Sequence, residues 1–138
     1  MIQRLSHSTL YVTDQDAARD FYVNKLGFDL RMDQEAGGFR WLTVGPKGQP
    51  EFQLILMKVG ANLGGDSESG AQLAALLTGG KLGAAGVFET ADCRKTHAEL
   101  ASKGVEFVAP PEEKFYGVEA VFKDPSGNRF SLTQPKKF

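Results

Sequence analysis

The alternation of apolar and polar residues along the first half of the chain predicts one helix among four short strands. Residues 5–12 alternate as a half-buried strand does. Asp14 can cap a helix that runs to Lys25 with its apolar residues at helical spacing, and Gly27 ends it. Gly- and Pro-containing turns separate the remaining apolar runs. These runs predict strands at 28–32, 39–44 and 51–58.

The second half repeats this order. A strand at 86–90 precedes a helix that begins after Asp92 and runs to Lys103. Three strands follow, at 105–108, 118–123 and 128–134. Equivalent landmarks lie at a nearly constant distance, because Gly27 and Gly104 are 77 residues apart. The pattern predicts an α+β fold of two tandem βαβββ modules, each with one mostly antiparallel sheet and one covering helix.

Length and composition predict a single domain over residues 1–138. The chain is 41% hydrophobic, which is enough for one substantial core at this length. Module one covers about 1–59 and module two about 84–138. The Gly- and Ser-rich segment at about 60–83 is expected to be a flexible linker, within which 71–77 could form a short helix.

The charge balance and the single cysteine exclude several classes of protein. The 16 Lys and Arg residues nearly equal the 17 Asp and Glu residues, so the chain lacks the basic surface of a nucleic-acid-binding protein. No apolar run approaches the length of a membrane span, and the N-terminus lacks a signal-peptide apolar region. Cys93 is alone, so no internal disulfide can form. We therefore expect a cytoplasmic protein with neither a nucleic-acid nor a membrane partner.

Three groups of motifs follow the order of the predicted elements. They are HSTLYVTD at 7–14, ARDFY at 18–22 followed by LGF at 26–28, and DPSGN at 124–128 followed by FSL at 130–132. With these motifs and the internal repeat, nearly the whole chain resembles the vicinal-oxygen-chelate superfamily of glyoxalases, bleomycin-resistance proteins and ring-cleaving dioxygenases. The resemblance implies an open half-barrel with a concave cleft for a metal or ligand. It also implies a homodimer, which would cover exposed sheet edges.

The metal ligands that such a resemblance implies are largely replaced in this sequence. The four ligand positions fall at His7, Gln53, Ala85 and Ser131. His7 is the only strong donor among them for a divalent transition metal. Glu51 and Glu89 have the correct strand parity, but each lies too far along its strand to complete a compact shell. We therefore expect no bound metal and no other cofactor.

The residues that would line the cleft follow from the resemblance and from strand alternation. If His7 points into the cleft, side chains two residues apart along each strand share its face. Trp41 and Thr43 are the inward candidates on their strand, and Phe115 and Tyr116 could close a rim. The candidate ligand-binding residues are His7, Thr9, Tyr11, Trp41, Gln53, Ile55, Met57, Val87, Glu89, Tyr116 and Ser131. Such a mostly apolar, aromatic pocket is typical of a small-molecule site.

The sequence is compatible with three functions. The loss of metal ligands favours a protein that binds a small apolar or aromatic molecule without metal. His7 by itself supports a metal-dependent lyase, isomerase or dioxygenase with an unconventional site. A third possibility is a metal-free enzyme in which His7 and Glu89, the catalytic candidates, act as acid and base. The superfamily fold is compatible with all three, so whether the chain catalyses a reaction stays open.

Overall fold

The computed structural model of the protein describes residues 1–60 and 67–137. Over these residues, strands and helices alternate in the predicted order. The elements are β1 (His7–Val12), α1 (Gln15–Arg19) with a π-helical continuation (Asp20–Lys25), β2 (Asp29–Ala36), β3 (Phe39–Gly45), β4 (Gln53–Lys58), α2 (Ser67–Thr78), β5 (Gly86–Glu89), α3 (Cys93–Ser102), β6 (Glu106–Lys114), β7 (Gly117–Lys123) and β8 (Arg129–Pro135).

Each half of the chain forms one four-stranded sheet with the same strand order. Sheet A has the order β1-β4-β3-β2, and sheet B has the order β5-β8-β7-β6. The β1–β4 and β5–β8 pairs are parallel, and the other pairs are antiparallel. The prediction of an α+β fold with two βαβββ modules is therefore confirmed. The strands predicted at 28–32 and 105–108 are longer than expected, because pairing in the β2–β3 and β6–β7 hairpins extends them through polar residues.

The chain divides into two compact units, residues 1–76 and 77–138. The division falls inside α2, a 12-residue helix in the segment expected to be a flexible linker. Within this helix, Leu77 is buried while its neighbour Leu76 is exposed. The predicted short helix at 71–77 lies within α2. Residues 61–66 of the same segment lie outside the described residues.

In the first unit, α1 covers one face of sheet A. The helix begins at Asp14, whose side chain accepts a hydrogen bond from the Ala17 backbone N–H at 3.1 Å, as its capping position predicts. Gln15 then donates from Nε2 to the carbonyl oxygen of Leu56 at 2.9 Å, which holds the helix against the central strand β4. Phe21 and Tyr22 are buried. We term the opposite face of sheet A, which lies away from α1, its helix-free face.

In the second unit, α3 lies against β6, β7 and β8. Its N-cap is Asp92, which accepts from the backbone N–H of Lys95 at 3.0 Å. Beneath it, the rings of Phe88, Phe122 and Phe130 stack with centroid separations of 4.6 to 6.1 Å. This aromatic core fills the face of sheet B toward α3, and we term the opposite face its helix-free face.

Cys93 belongs to that core and not to a reactive site. It is fully buried, and its Sγ lies 3.4 Å from the carbonyl oxygen of Leu132. Burial raises the pKa of the Cys93 thiol. A buried, protonated thiol is a poor nucleophile, in agreement with the absence of any base motif near Cys93 in the sequence.

Candidate functional site

The helix-free face of sheet A collects most of the predicted ligand-binding residues of the first unit. Along β1, Leu10 and Val12 are buried while Thr9 and Tyr11 are exposed, so the strand alternates as predicted. Pairing of β4 with β1 and with β3 places further candidate residues beside Thr9 and Tyr11 on the same face. The aligned pairs are His7 with Gln53, Thr9 with Ile55, Tyr11 with Met57, and Thr43 with Ile55.

Aromatic side chains gather on this face. The His7 and Trp41 rings are 6.4 Å apart between centroids, and Trp41 lies 6.3 Å from Phe39. Ser6 Oγ lies 2.9 Å from His7 Nδ1 and holds one edge of the imidazole. Trp41 is half-buried, so part of the indole stays accessible. Trp41 thus lies on the same face as His7, as strand parity predicts, and its role in ligand binding stays a prediction.

A buried polar pair lies beside the aromatic rings. Thr43 Oγ1 donates to Gln53 Oε1 at 2.8 Å, and Thr43 has no exposed surface. Because the Gln53 carbonyl is engaged in this way, its amide N–H groups are the donors that the side chain can direct elsewhere. Ile55 and Met57, also predicted to bind ligand, are 7% and 1% exposed and therefore form the floor of this face.

Sheet pairing corrects one position of the predicted metal set. Ser131 pairs with Val87 on β5, as Gln53 pairs with His7 on β1. The strand equivalent of His7 in the second unit is therefore Val87, two residues after Ala85. Counting back from the helix cap gave Ala85, but cross-strand pairing, not distance from the cap, sets the register.

The residues at these positions do not fit a transition metal. Neither Ala85 nor Val87 carries a donor atom, and the oxygen of Gln53 already accepts from Thr43. Within residues 1–60 and 67–137, no three His, Cys, Asp or Glu side chains are grouped so as to hold a metal ion. A catalytic zinc site needs about three protein ligands, and His7 is the one strong donor at the aligned positions.

Sequence reasoning missed the main ionised group on the helix-free face of sheet B, which is Glu119. Tyr116 donates its hydroxyl to Glu119 Oε1 at 2.6 Å, and Ser131 donates to Oε2 at 2.6 Å. Hydrogen bonds from Ser131 and Tyr116 lower the pKa of Glu119, while the bond to Glu119 raises the pKa of Tyr116. Alternation with the buried Ala120 could have placed this carboxylate on the same face as Ser131.

The two catalytic candidates lie in different units. His7 is on β1, and Glu89 is at the end of β5. Their action as an acid–base pair stays a prediction. Glu89 borders an open groove of about 560 Å³. The other residues that line the groove are Thr90, Ala91, Gln134, Pro135, Lys136 and Lys137.

Comparison with known proteins identifies the family. A model described as the Glyoxalase/Bleomycin resistance protein/Dioxygenase superfamily matches residues 4–132. The chain belongs to this superfamily. The predicted resemblance is thus confirmed, and the two βαβββ units of this superfamily member carry the motifs that indicated it.

Three proteins with similar sequences cover nearly the whole chain. The crystal structure of UcmS2 is 46% identical, with a TM-score of 0.90 over 97% of this chain and 99% of that chain. TnmS3, described as an antibiotic binding protein from Streptomyces sp. CB03234, is 32% identical, with a TM-score of 0.75 over 98% of both chains. An uncharacterised protein of Shewanella frigidimarina (strain NCIMB 400) is 34% identical over 97% of this chain and 95% of its own length.

None of the helices in the described parts of the chain is long and apolar enough to cross a membrane.

Proposed function

We propose that this superfamily member binds a small apolar or aromatic molecule on the helix-free faces of its sheets, without a metal. The observation that carries the proposal is the cluster of Trp41, His7 and Phe39 beside the Thr43–Gln53 hydrogen bond. Aromatic faces offer a large apolar contact area, and a few fixed polar groups orient the ligand. Such a combination is typical of binding sites for small aromatic molecules.

Each unit has its own proposed binding residues. The first unit contributes His7, Thr9, Tyr11, Trp41, Gln53, Ile55 and Met57, and the second contributes Val87, Glu89, Tyr116 and Ser131. To these the geometry adds Thr43 and Glu119. Independence from metal rests on the donor set at the aligned strand positions, where His7 is the one strong ligand. The similarity to TnmS3 supports the binding of a small molecule.

The first test measures binding of a neutral aromatic probe, 2-naphthylmethanol, by calorimetry. We expect the wild-type protein to bind it equally well with and without a chelator. Trp41→Ala removes the largest ring of the cluster and should weaken binding about tenfold, or about 1.4 kcal/mol. The matched control is Leu30→Ala, because Leu30 pairs with the buried Val44 on the other face of the same sheet.

Two results would contradict the binding proposal. One is the absence of any binding by the wild-type protein up to the solubility limit of the probe. The other is binding that a chelator abolishes. Elemental analysis completes the test, since stoichiometric zinc, nickel, iron or manganese that His7→Ala removes would favour the metal-dependent alternative.

We also propose that the protein is a cytoplasmic homodimer with no nucleic-acid or membrane partner. Each sheet ends in edge strands, and Leu5 and Phe115 are 74% and 83% exposed. A second copy would cover such edges and apolar side chains. The formal net charge of −1 supports the absence of a polyanionic partner.

Light scattering at micromolar concentration tests the dimer. The chain mass is 15.0 kDa, so we expect a particle of twice that mass. A mass of 15.0 kDa that persists as the concentration rises would contradict the proposal.

A further inference from the structure

The helix-free face of sheet B carries a carboxylate whose position is fixed by its neighbours. In β7, the buried Ala120 and Phe122 point toward the helix side, so Glu119 lies on the opposite face. Tyr116 and Ser131 each donate a hydroxyl to one of its oxygens at 2.6 Å. Two charge-assisted hydrogen bonds of this length hold the carboxylate in a single orientation.

The direction of the hydroxyl protons makes Glu119 the final acceptor of a chain of hydrogen bonds. Ser131 has a single hydroxyl proton, and it is directed at Glu119. The 2.7 Å contact between Ser131 and Thr133 must therefore be a bond donated by Thr133. An ionised carboxylate can accept about four hydrogen bonds, so Glu119 keeps capacity for a donor from outside the network.

Charged groups of both signs surround Glu119. Strand pairing places Thr133 directly between Glu119 and Glu89, and it places Glu112 opposite Glu119 on β6. Lys114 pairs with Glu112 at 3.0 Å, and Lys136 and Lys137 line the same groove as Glu89. Glu89 and Glu112 therefore have ammonium groups near them, and the acceptor offered to a ligand is the Glu119 carboxylate itself. The lowered pKa of Glu119 keeps its own contribution negative at neutral pH.

Two valine side chains lie next to the Glu119 row on the same face of sheet B. Val87 on β5 and Val121 on β7 both pair with Ser131 on β8. This row lies two residues along the strands from the row formed by Glu89, Thr133 and Glu119. Val87 is 68% exposed, so its methyl groups are open to contact. The face thus offers an apolar contact surface for a ligand next to the fixed carboxylate of Glu119.

We propose that Glu119 determines specificity by selecting ligands that carry a protonated amine attached to an apolar or aromatic body. The inference rests on the proposed function, since it assigns a chemical class to the ligand bound there. A charge-assisted bond from an ammonium group to a fixed, partly buried carboxylate is about twice as strong as a neutral one. Because Tyr116 and Ser131 already orient the carboxylate, little reorganisation is needed when the amine binds.

Three naphthalene probes of similar size test this specificity: 2-naphthylmethylamine, 2-naphthylmethanol and 2-naphthoate. We expect the wild-type protein to bind the amine about tenfold more tightly than the alcohol, and the carboxylate most weakly. Glu119→Gln keeps the shape of the side chain and removes its charge. It should reduce the preference for the amine over the alcohol to about threefold or less.

The matched control is Glu113→Gln. Glu113 is an exposed carboxylate on β6 that pairs with Val118, so it faces away from Glu119. The same loss of charge there should leave the preference for the amine unchanged. Tyr116→Phe is a second variant, and it should weaken amine binding selectively because it removes one of the two groups that orient the carboxylate.

Each outcome decides between the inference and the proposed function. Equal affinities of the wild-type protein for all three probes would overturn the inference and leave the proposed function standing. An amine preference that survives in Glu119→Gln would also overturn the inference. Parallel weakening of all three probes in Glu119→Gln would assign Glu119 a structural role and so overturn the inference. No binding of any probe by the wild-type protein would overturn both proposals.

Discussion

Gly117→Ala lowers the free energy of unfolding by about 3 kcal/mol or more. Gly117 has a φ of 144°, which side-chain-bearing residues rarely adopt. A Cβ atom there would lie 2.0 Å from the carbonyl oxygen of Gln134 and 2.9 Å from the backbone nitrogen of Lys136. Both atoms belong to backbone, so no side-chain rotation can relieve the overlap.

Pairing of the β7–β8 hairpin prevents the backbone from moving away. Gly117 pairs with Pro135, and the backbone N–H of Lys136 donates to the carbonyl oxygen of Tyr116 at 2.8 Å. Relief of the overlap would break this end of the ladder. It would also displace Tyr116, whose hydroxyl holds Glu119. We therefore expect the variant to lose stability and, at the same time, the preference for amines.

Urea denaturation measures the effect of Gly117→Ala against two controls. Gly48→Ala meets nothing within 4 Å and should change stability by about 0.5 kcal/mol or less. Gly37→Ala has a φ of 60° in open space, so it isolates backbone strain and should cost about 1 kcal/mol. If Gly117→Ala is no more destabilising than Gly37→Ala, the overlap with Gln134 is absent in solution.

Asp124→Ala produces the second large loss, about 3 kcal/mol. Asp124 is 3% exposed and begins the turn that joins β7 to β8. Its Oδ1 accepts from the backbone N–H groups of Ser126 and Asn128, each at 2.9 Å. Its Oδ2 accepts from Asn128 Nδ2 at 2.9 Å. Removal of the carboxylate leaves three buried donors without this acceptor, and each unsatisfied buried donor costs about 1–3 kcal/mol.

A surface pair of the same type provides the control for Asp124. Asp20 accepts from Asn24 Nδ2 at 2.8 Å, with the same separation of four residues, but this pair is exposed. Water can replace the lost acceptor at the surface, so Asp20→Ala should cost about 0.5 kcal/mol or less. Equal losses in the two variants, measured by denaturant unfolding, would show that the buried turn does not depend on the Asp124 carboxylate.

Features of this protein that depend on near neighbours in sequence were predictable from the sequence alone. Asp14 and Asp92 cap their helices as expected, because a cap bonds to an N–H only three residues away. The face of sheet A on which Trp41 lies followed from the two-residue period of side chains along a strand. The repeated strand order and the family were predictable too, because the motifs that carry them are local and occur in both halves.

Features that depend on cross-strand pairing were decided by the tertiary structure. The alignment of Val87, not Ala85, with Ser131 depends on how β5 meets β8, which no local spacing specifies. The sequence pattern did not single out Glu119, because its two hydrogen-bond partners, Tyr116 and Ser131, come from a turn and from another strand. The sequence by itself thus determined the elements and their repeat. Only the folded sheets decided which carboxylate is held on the helix-free face of sheet B, because hydrogen bonds between strands join residues that are distant in sequence.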